Sequence, residues 1–277
     1  MLISEVFGRA IDDLSSDATD IRARRHCPFR DTKCTKASKS DPLGVCSLSD
    51  GKYAAAICPV RFLEGDRIFK DAAAIAFGKG ADIAVFPEVR ILRIESTGGK
   101  SKKIGKVDFV LGRIADGKIT DFAAMEVQAV YFSGESIRPS MRHFLTAGSI
   151  DPTISDRRPD FRSSAQKRLA PQLMLKVPVF RRWAKKFFVV VDSQFFSRLP
   201  VFKQIALPNS ELTWLSYPIS KIGAGYEMGS PVVAGSIWDD IAASLREGTA
   251  PDPAEITAEL QLKLDGPKKS RPRLLSI

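Results

Sequence analysis

The chain has 277 residues, with 42 Lys and Arg against 32 Asp and Glu, a formal charge of +10 and an isoelectric point near 9.5. A chain of that length buries a substantial apolar core without covalent staples, so no disulfide framework is needed to hold it together. No stretch approaches the roughly 20 apolar residues of a membrane span, and Met1 to Asp20 alternates apolar with acidic residues where a secretory leader would be apolar; a cytoplasmic protein with no membrane contact is expected, its surplus positive charge suited to a polyanion such as nucleic acid.

In chain order, Ile3, Val6, Phe7, Ile11 and Leu14 have helical spacing and predict a helix within Met1–Arg25, ending in the basic run Arg22, Arg24, Arg25 and His26. All four cysteines follow, Cys27, Cys34, Cys46 and Cys58, in a segment of Lys, Ser, Asp, Pro and Gly with few large apolar residues. Such a segment has no core of its own, so either a metal orders it or it is a floppy arm. In a reducing compartment one metal explains four clustered thiols better than two disulfides do. The spacing C-x6-C-x11-C-x11-C lacks the compact knuckles of zinc ribbons, and four thiolates suit Zn²⁺ or Fe equally. Residues 1–64 are read as this N-terminal helix and four-cysteine metal-binding module, and residues 65–277 as a second domain.

Asp66–Phe77 reads as a helix stopped by Gly78 and Gly80, and Asp82–Ile94 as a strand interrupted by Pro87. Gly105–Ala115 and Lys118–Phe132 make a hairpin around Asp116-Gly117. Ser133–Arg162 is polar and aperiodic, a long loop carrying Arg138, Arg142, His143, Arg157 and Arg158. Ser163–Lys176 reads as a helix with Leu169, Leu173 and Met174 on one face and Lys167 and Arg168 off it, followed by the apolar strand Phe187–Val191. Residues 195–245 are mixed, with Trp214, Tyr217 and Trp238 for a second core layer and a helix over Ile237–Leu245; a basic tail runs from Lys268 to Arg273.

The chemistry lies on the hairpin. Glu126 and Gln128 are two apart on a strand and share a face. With Ala115-Asp116-Gly117 as a three-residue loop, Ile114 pairs with Lys118 and Asp108 falls opposite Ala124, on the same face as Glu126 and diagonal to it. A two-residue loop puts the two acids on opposite faces. Carboxylates on such apolar strands are costly unless a cation compensates, and hard oxygen ligands favour Mg²⁺ or Mn²⁺.

An Asp followed on the next strand by Glu-x-Gln, within the order helix, three strands, helix, strand, resembles the PD-(D/E)xK nuclease superfamily, with Gln128 where lysine usually stands. Together with the four cysteines and the segment Arg158-Pro-Asp-Phe-Arg-Ser-Ser-Ala-Gln-Lys-Arg-Leu-Ala-Pro-Gln172, residues 25 to 195 are similar to the NotI family of type II restriction endonucleases. The resemblance implies an α/β nuclease core that places Asp108 and Glu126 on a catalytic metal and Gln128 beside the attacking water. It also implies an additional upstream acid, assigned to Glu88 over Glu95, and an iron or zinc ion on Cys27, Cys34, Cys46 and Cys58 in a DNA-contacting module.

Arg bidentate to guanine is the commonest base contact, so Arg138, Arg142, Arg157 and Arg158 are the candidate readers of a GC-rich site, with Lys167 and Arg168 as phosphate ligands. Cutting both strands of a palindrome is simplest for a homodimer. A cognate DNA methyltransferase is the companion of such an enzyme. The competing classes are a metal-stabilised DNA-binding protein that does not cut and a structure-specific repair nuclease. Neither His26 nor His143 has the partners of a nucleophilic triad.

Overall fold

The computed structural model describes residues 2–36, 38–95, 101–134, 136–148, 158–246, 251–267 and 272–275. The N-terminal part contains β1 (Leu2–Val6), β2 (Arg9–Ala10), α1 (Ser16–Ala23), β3 (His26–Cys27), β4 (Thr32–Lys33), β5 (Val45–Ser49) and β6 (Ala54–Ala56), with an antiparallel sheet in the order β2-β1-β5-β6. The helix expected across Met1–Arg25 is thus replaced by a hairpin and a short helix. Phe7 (φ 50) and Gly8 (φ 72) turn the chain back on itself, and a Cβ on Gly44 would lie 2.5 Å from the Phe7 ring, so glycine is what admits that ring. Helical spacing of apolar residues was coincidental here, because the partner strand that claims Leu2–Val6 lies far along the chain.

After a 3₁₀ segment over Pro59–Asp66 come α2 (Arg67–Phe77), β7 (Ile83–Glu95), β8 (Ser101–Ala115), β9 (Lys118–Val127), β10 (Tyr131–Ser133), α3 (Arg138–Ala147), β11 (Arg158–Asp160) and α4 (Phe161–Ser163). A π-helical turn over Ser164–Leu169 leads into α5 (Ala170–Arg182), β12 (Phe187–Asp192), α6 (Ser193–Phe196), β13 (Leu212–Tyr217), β14 (Ile219–Ile222), β15 (Gly225–Met228), β16 (Val232–Ser236) and α7 (Trp238–Arg246). Met1–Leu245 form one compact unit; Arg246–Ile277, with α8 (Pro253–Asp265), form another.

Six strands in the order β16-β13-β12-β9-β8-β7 make the central sheet. β7, β8 and β9 are an antiparallel meander, β12 runs parallel to both β9 and β13, and β16 closes the far edge antiparallel. Phe187, Val189 and Val191 of β12 pack under α5 through Leu173, Val177 and Phe180, while Phe188 and Val190 face Phe62, Ile68 and Phe69 on the side of α2. Apolar residues on both faces mark β12 as an interior parallel strand. Trp214, Tyr217 and Trp238 are buried, and the first two face opposite sides of the sheet.

A third cluster joins Val6, Phe7, Val45 and Leu48 to Cys27, Cys34 and Leu43, and to Ile137, just before α3, with Met141 and Phe144 of α3. The stretch Ser133–Arg162, expected as a loop, therefore contains a helix whose apolar residues recur at 137, 141 and 144 and bury against the cysteine segment. One buried cation ties the two parts together: the Arg61 Nε donates to Glu5 at 2.9 and 3.0 Å, its Nη1 to Glu64 at 2.5 Å and its Nη2 to the Tyr226 carbonyl at 2.8 Å. The Phe29 ring covers its guanidinium at 4.6 Å.

Candidate active site and DNA-facing surface

Ala115 pairs directly with Lys118, so the hairpin turn has two central residues, Asp116 (φ 50) and Gly117 (φ 70), where a three-residue loop was expected. Both φ values are positive, as a type I′ turn requires. That turn alone would send Asp108 and Glu126 to opposite faces. The register shifts between Ile114↔Ile119 and Arg113↔Asp121, leaving Thr120 unpaired, and this bulge restores the same-face relation. The ladder then runs to Phe109↔Met125. Beyond it the strands are joined through side chains: the Asp108 N–H donates to Glu126 Oε1 at 3.3 Å, and the Val127 N–H donates to Asp108 Oδ2 at 3.0 Å. Each carboxylate grips the other's strand, so the two acids are held beside one another.

Glu88 is the third acid of this row. β7 and β8 pair at Pro87↔Phe109 and Val89↔Val107, which leaves Glu88, with a left-handed φ of 58, across from Asp108. Its side chain is 70% exposed and bonded by Lys106 at 2.7 Å, which holds the carboxyl below its ordinary range. Glu95 pairs with Ser101 at the far end of the hairpin, away from Asp108.

Sequence reasoning missed the cation of the site. Lys176 of α5 is 4% exposed, and its Nζ donates to Glu126 Oε1 at 2.6 Å and to Gln172 Oε1 at 3.0 Å. The signal was present: Leu169, Leu173, Val177 and Phe180 form the buried stripe of this helix, and Lys176 falls within it. A lysine on an apolar stripe needs a buried partner. Glu126 is 2% exposed, and its pKa is pushed up to about 7, first by desolvation and then by the charge of Asp108, with Lys176 pulling the other way. Met174, read as core, is 64% exposed.

Over these residues opens a cleft of about 820 Å³. Glu88, Asp108 and Gln128, with Arg168 and Gln172 from the helical side and Arg30 and Lys36 from the cysteine segment, are its polar lining among apolar residues such as Ile57, Leu63, Phe109 and Val127, while Glu126 lies behind the lining. Gln128 is 8% exposed; its backbone N–H donates to Val190 O, and its Nε2 donates to Ala129 O. The Arg168 guanidinium stacks on Tyr131 at 4.1 Å, and Lys36 Nζ donates to Ile57 O. Arg30 and Lys36 were also missed, because their sequence neighbourhood reads only as a polar arm.

The four cysteines are buried and form no disulfide. Burial pushes the Cys27, Cys46 and Cys58 thiols up; Cys27 is in electrostatic range of Cys34 and Cys58, and Cys46 of Cys27 and Cys58. The Lys36 N–H donates to Cys34 Sγ at 3.5 Å and Cys46 Sγ to the Gly44 carbonyl at 3.4 Å, while nearby backbone N–H groups, Phe29 and Arg30 at Cys27, Gly8 at Cys46 and Val60 and Arg61 at Cys58, pull those thiols the other way. Such donors favour thiolates, the form that binds metal. Among the described residues no group of three or more His, Cys, Asp or Glu stands in metal-holding geometry, here or in the cleft.

Of the expected DNA contacts, Arg138 and Arg142 are on α3 and meet at Asp41, whose Oδ2 accepts from Arg138 Nη1 at 2.7 Å and from Arg142 Nη2 at 3.0 Å. His143 is on the exposed side of that helix, and His26 contacts Asp31 at 3.3 Å. Lys167 is exposed beside Arg168. Arg158 opens β11, paired with Ser133; its side chain and all of Arg157 lie outside the described residues, as do Lys268–Arg271 of the basic tail.

The family model for restriction endonuclease NotI matches residues 5–227. The chain belongs to the NotI restriction endonuclease family. No curated protein matches the chain. The NotI match runs from β1 to β15 and takes in the cysteines, the acid row and α5. Membership makes the chain a restriction endonuclease, a hydrolase of double-stranded DNA, and points to type II. Among the described residues no helix is long and apolar enough to cross a membrane.

Proposed function

We propose that the cleft over Asp108 and Glu126 is the phosphodiester-hydrolysing centre of a Mg²⁺-dependent type II restriction endonuclease with a PD-(D/E)xK core. The reading is carried by the interlocked pair Asp108–Glu126 with Lys176 buried against it. Mg²⁺, or Mn²⁺ in its place, is bound in such enzymes by one or two carboxylates, with waters and phosphate oxygens completing the shell, so Asp108 and Glu126 fit without a third acid. The ion supplies polarisation of the scissile phosphate and a lowered pKa for bound water.

The chain's own residues do the rest. Lys176 fixes the rotamer of Glu126 and offsets its charge in a desolvated place, so the cation that position 128 lacks is delivered from α5. Gln128 spends its amide N–H on Ala129 and keeps its Oε1 to orient a water by hydrogen bonding. Glu88 stands at the mouth as the upstream acid. Arg30, Lys36 and Arg168 are the cations in the lining and neutralise the backbone of the strand being cut.

The same reading assigns Cys27, Cys34, Cys46 and Cys58 to one Fe or Zn ion, supported by the burial of all four thiols without a disulfide and by the electrostatic proximity of Cys27 to Cys34 and Cys58 and of Cys46 to Cys27 and Cys58. It further assigns a homodimer acting on a GC-rich palindrome, with a methyltransferase protecting the host's own sites. Incubation with GC-rich plasmid in Mg²⁺, beside Asp108→Ala, tests it. Discrete fragments that vanish in the variant are expected. Intact but retarded DNA would leave a binding protein, and a smear would leave a non-specific or repair nuclease. Elemental analysis of the purified protein reads the cysteine site: iron or zinc at one per chain is expected, and neither metal would overturn it.

A further inference from the structure

We propose that Asp41 is a positioning residue that presents Arg142 to a guanine edge, so that α3 and the cysteine segment read DNA as one unit; this rests on the endonuclease reading above. Three guanidiniums converge on this one carboxylate: Arg138 and Arg142, 97 and 101 residues away in sequence, and Arg25 at 3.2 Å. Three arginines on one acid leave the patch with two net positive charges, so the cluster gathers positive charge more than it cancels it. It is also half in solvent, with Asp41 33% and Arg142 68% exposed, where an ion pair adds little to stability. What the arrangement provides is orientation.

The two helix arginines are bound differently. Arg138 Nη1 donates both to Asp41 Oδ2 at 2.7 Å and to the Asp41 carbonyl at 2.8 Å, which makes it an anchor. The Arg142 guanidinium touches Asp41 through Nη2 alone, and among the described residues that contact is its one hydrogen bond. A planar guanidinium held at one nitrogen keeps N–H groups for the bidentate contact to guanine O6 and N7. Holding it in advance removes part of the side-chain entropy that binding would otherwise cost.

The helix is placed to use it. Ile137, Met141 and Phe144 bury against Cys27, Cys34 and Leu43, which turns Arg142, His143 and Thr146 outward. The major groove, about 12 Å wide, admits an α-helix presenting such a row. The division of labour therefore differs from a uniform set of reading arginines: Arg142 reads, Arg138 anchors and Asp41 aims.

The test is selection of bound duplexes from a randomised library by the full-length protein, with Ca²⁺ in place of Mg²⁺, for wild type, Asp41→Ala, Asp41→Asn, Arg138→Ala and Arg142→Ala. Wild type is expected to select a defined sequence containing guanine. Arg142→Ala is expected to lose about tenfold or more in preference at one symmetry-related pair of guanines, and Asp41→Ala to relax that same pair. Elsewhere in the site the preferences and the thermal midpoint are expected to hold. Non-specific affinity should rise in Asp41→Ala, because an acid has been removed from a basic patch. Relaxation spread evenly over the site, unchanged preferences, or a wild type that selects no sequence would each overturn the proposal. Cleavage is not needed for this readout, so a protein that selects a sequence but never cuts sinks the endonuclease reading, while relaxation at one guanine pair in Arg142→Ala and Asp41→Ala still supports the role of Asp41 and its absence still overturns it.

Discussion

Two patches of paired charge, both reached from distant parts of the chain, are built in opposite ways. Behind the cleft lining, Lys176 and Glu126 are 4% and 2% exposed and meet at 2.6 Å. On α3, Arg142 and Asp41 meet at 3.0 Å with 68% and 33% of their side chains in solvent. A buried pair is costly to form and more costly to break, whereas an exposed pair is nearly free in both directions. Hydrolysis needs acids held in one geometry, and desolvation supplies that rigidity; reading a base edge needs a side chain that trades one partner for another, and exposure permits the exchange.

The largest way to break the comparison is at the acids themselves. Asp108→Asn or Glu126→Gln is expected to lower cleavage by about 10³-fold or more while DNA binding survives. A comparable loss of rate in Arg142→Ala, measured on its best substrate, would erase the distinction between a chemical patch and a reading patch. Next in size is Arg61, the buried cation joining the N-terminal sheet to the nuclease part. Arg61→Ala leaves Glu5 buried without its partner and is expected to cost about 3–5 kcal/mol in urea denaturation. Asp41→Ala, whose partners are exposed, should shift the urea midpoint far less in the same assay. Equal costs would mean that burial is not what separates the two kinds of pair.

Lys176 sharpens the comparison within the cleft. Lys176→Met is expected to reduce cleavage about 10–100-fold, as loss of a residue that orients a metal ligand does. Double replacement with Glu126→Gln should add little to the single acid change, because both act through one carboxylate. Full additivity would show that Lys176 serves something other than Glu126.

Much of this was legible in the chain, and most of the misses share a cause. α2, the strands β7 to β9, α5 and β12 could be read because each carries its own period and its own stops, such as Gly78 after α2 and Asp116-Gly117 between β8 and β9. The identity of the acid row could be read from Asp108 and Glu126, but its geometry could not: the two-residue turn depends on local φ angles, and the compensating bulge at Thr120 leaves no local residue signature. Leu2–Val6 was misread because its strand partner is Val45–Ser49, a pairing that no window of neighbouring residues contains. Lys176 was hidden by ending a helix too early at its own position, and α3 by treating Arg138, Arg142 and His143 as loop polarity while Ile137, Met141 and Phe144 went uncounted. For Leu2–Val6, Lys176 and α3 the deciding contact was long-range.

The smallest effect separates the patches by pH. Asp41 is held below its ordinary range by Arg142 and Arg138, so it stays charged through neutral pH, whereas burial pushes Glu126 up to about 7. A carboxyl whose folded pKa is raised stabilises the fold fully below its unfolded value and loses that contribution as pH rises through about 7. Between these limits wild type without divalent metal should lose stability relative to Glu126→Gln, by up to roughly 1.4 kcal/mol per pH unit. Asp192, also raised to about 7, is present in both proteins and cancels in the difference. Activity runs the other way, since protonated Glu126 does not hold Mg²⁺: cleavage should fall about tenfold per unit below neutrality, with a midpoint that moves to lower pH as Mg²⁺ is raised. Base preference on α3 should be unchanged over that range. A preference that decays together with the rate would mean that the two patches titrate as one, and that their different burial has no separate consequence.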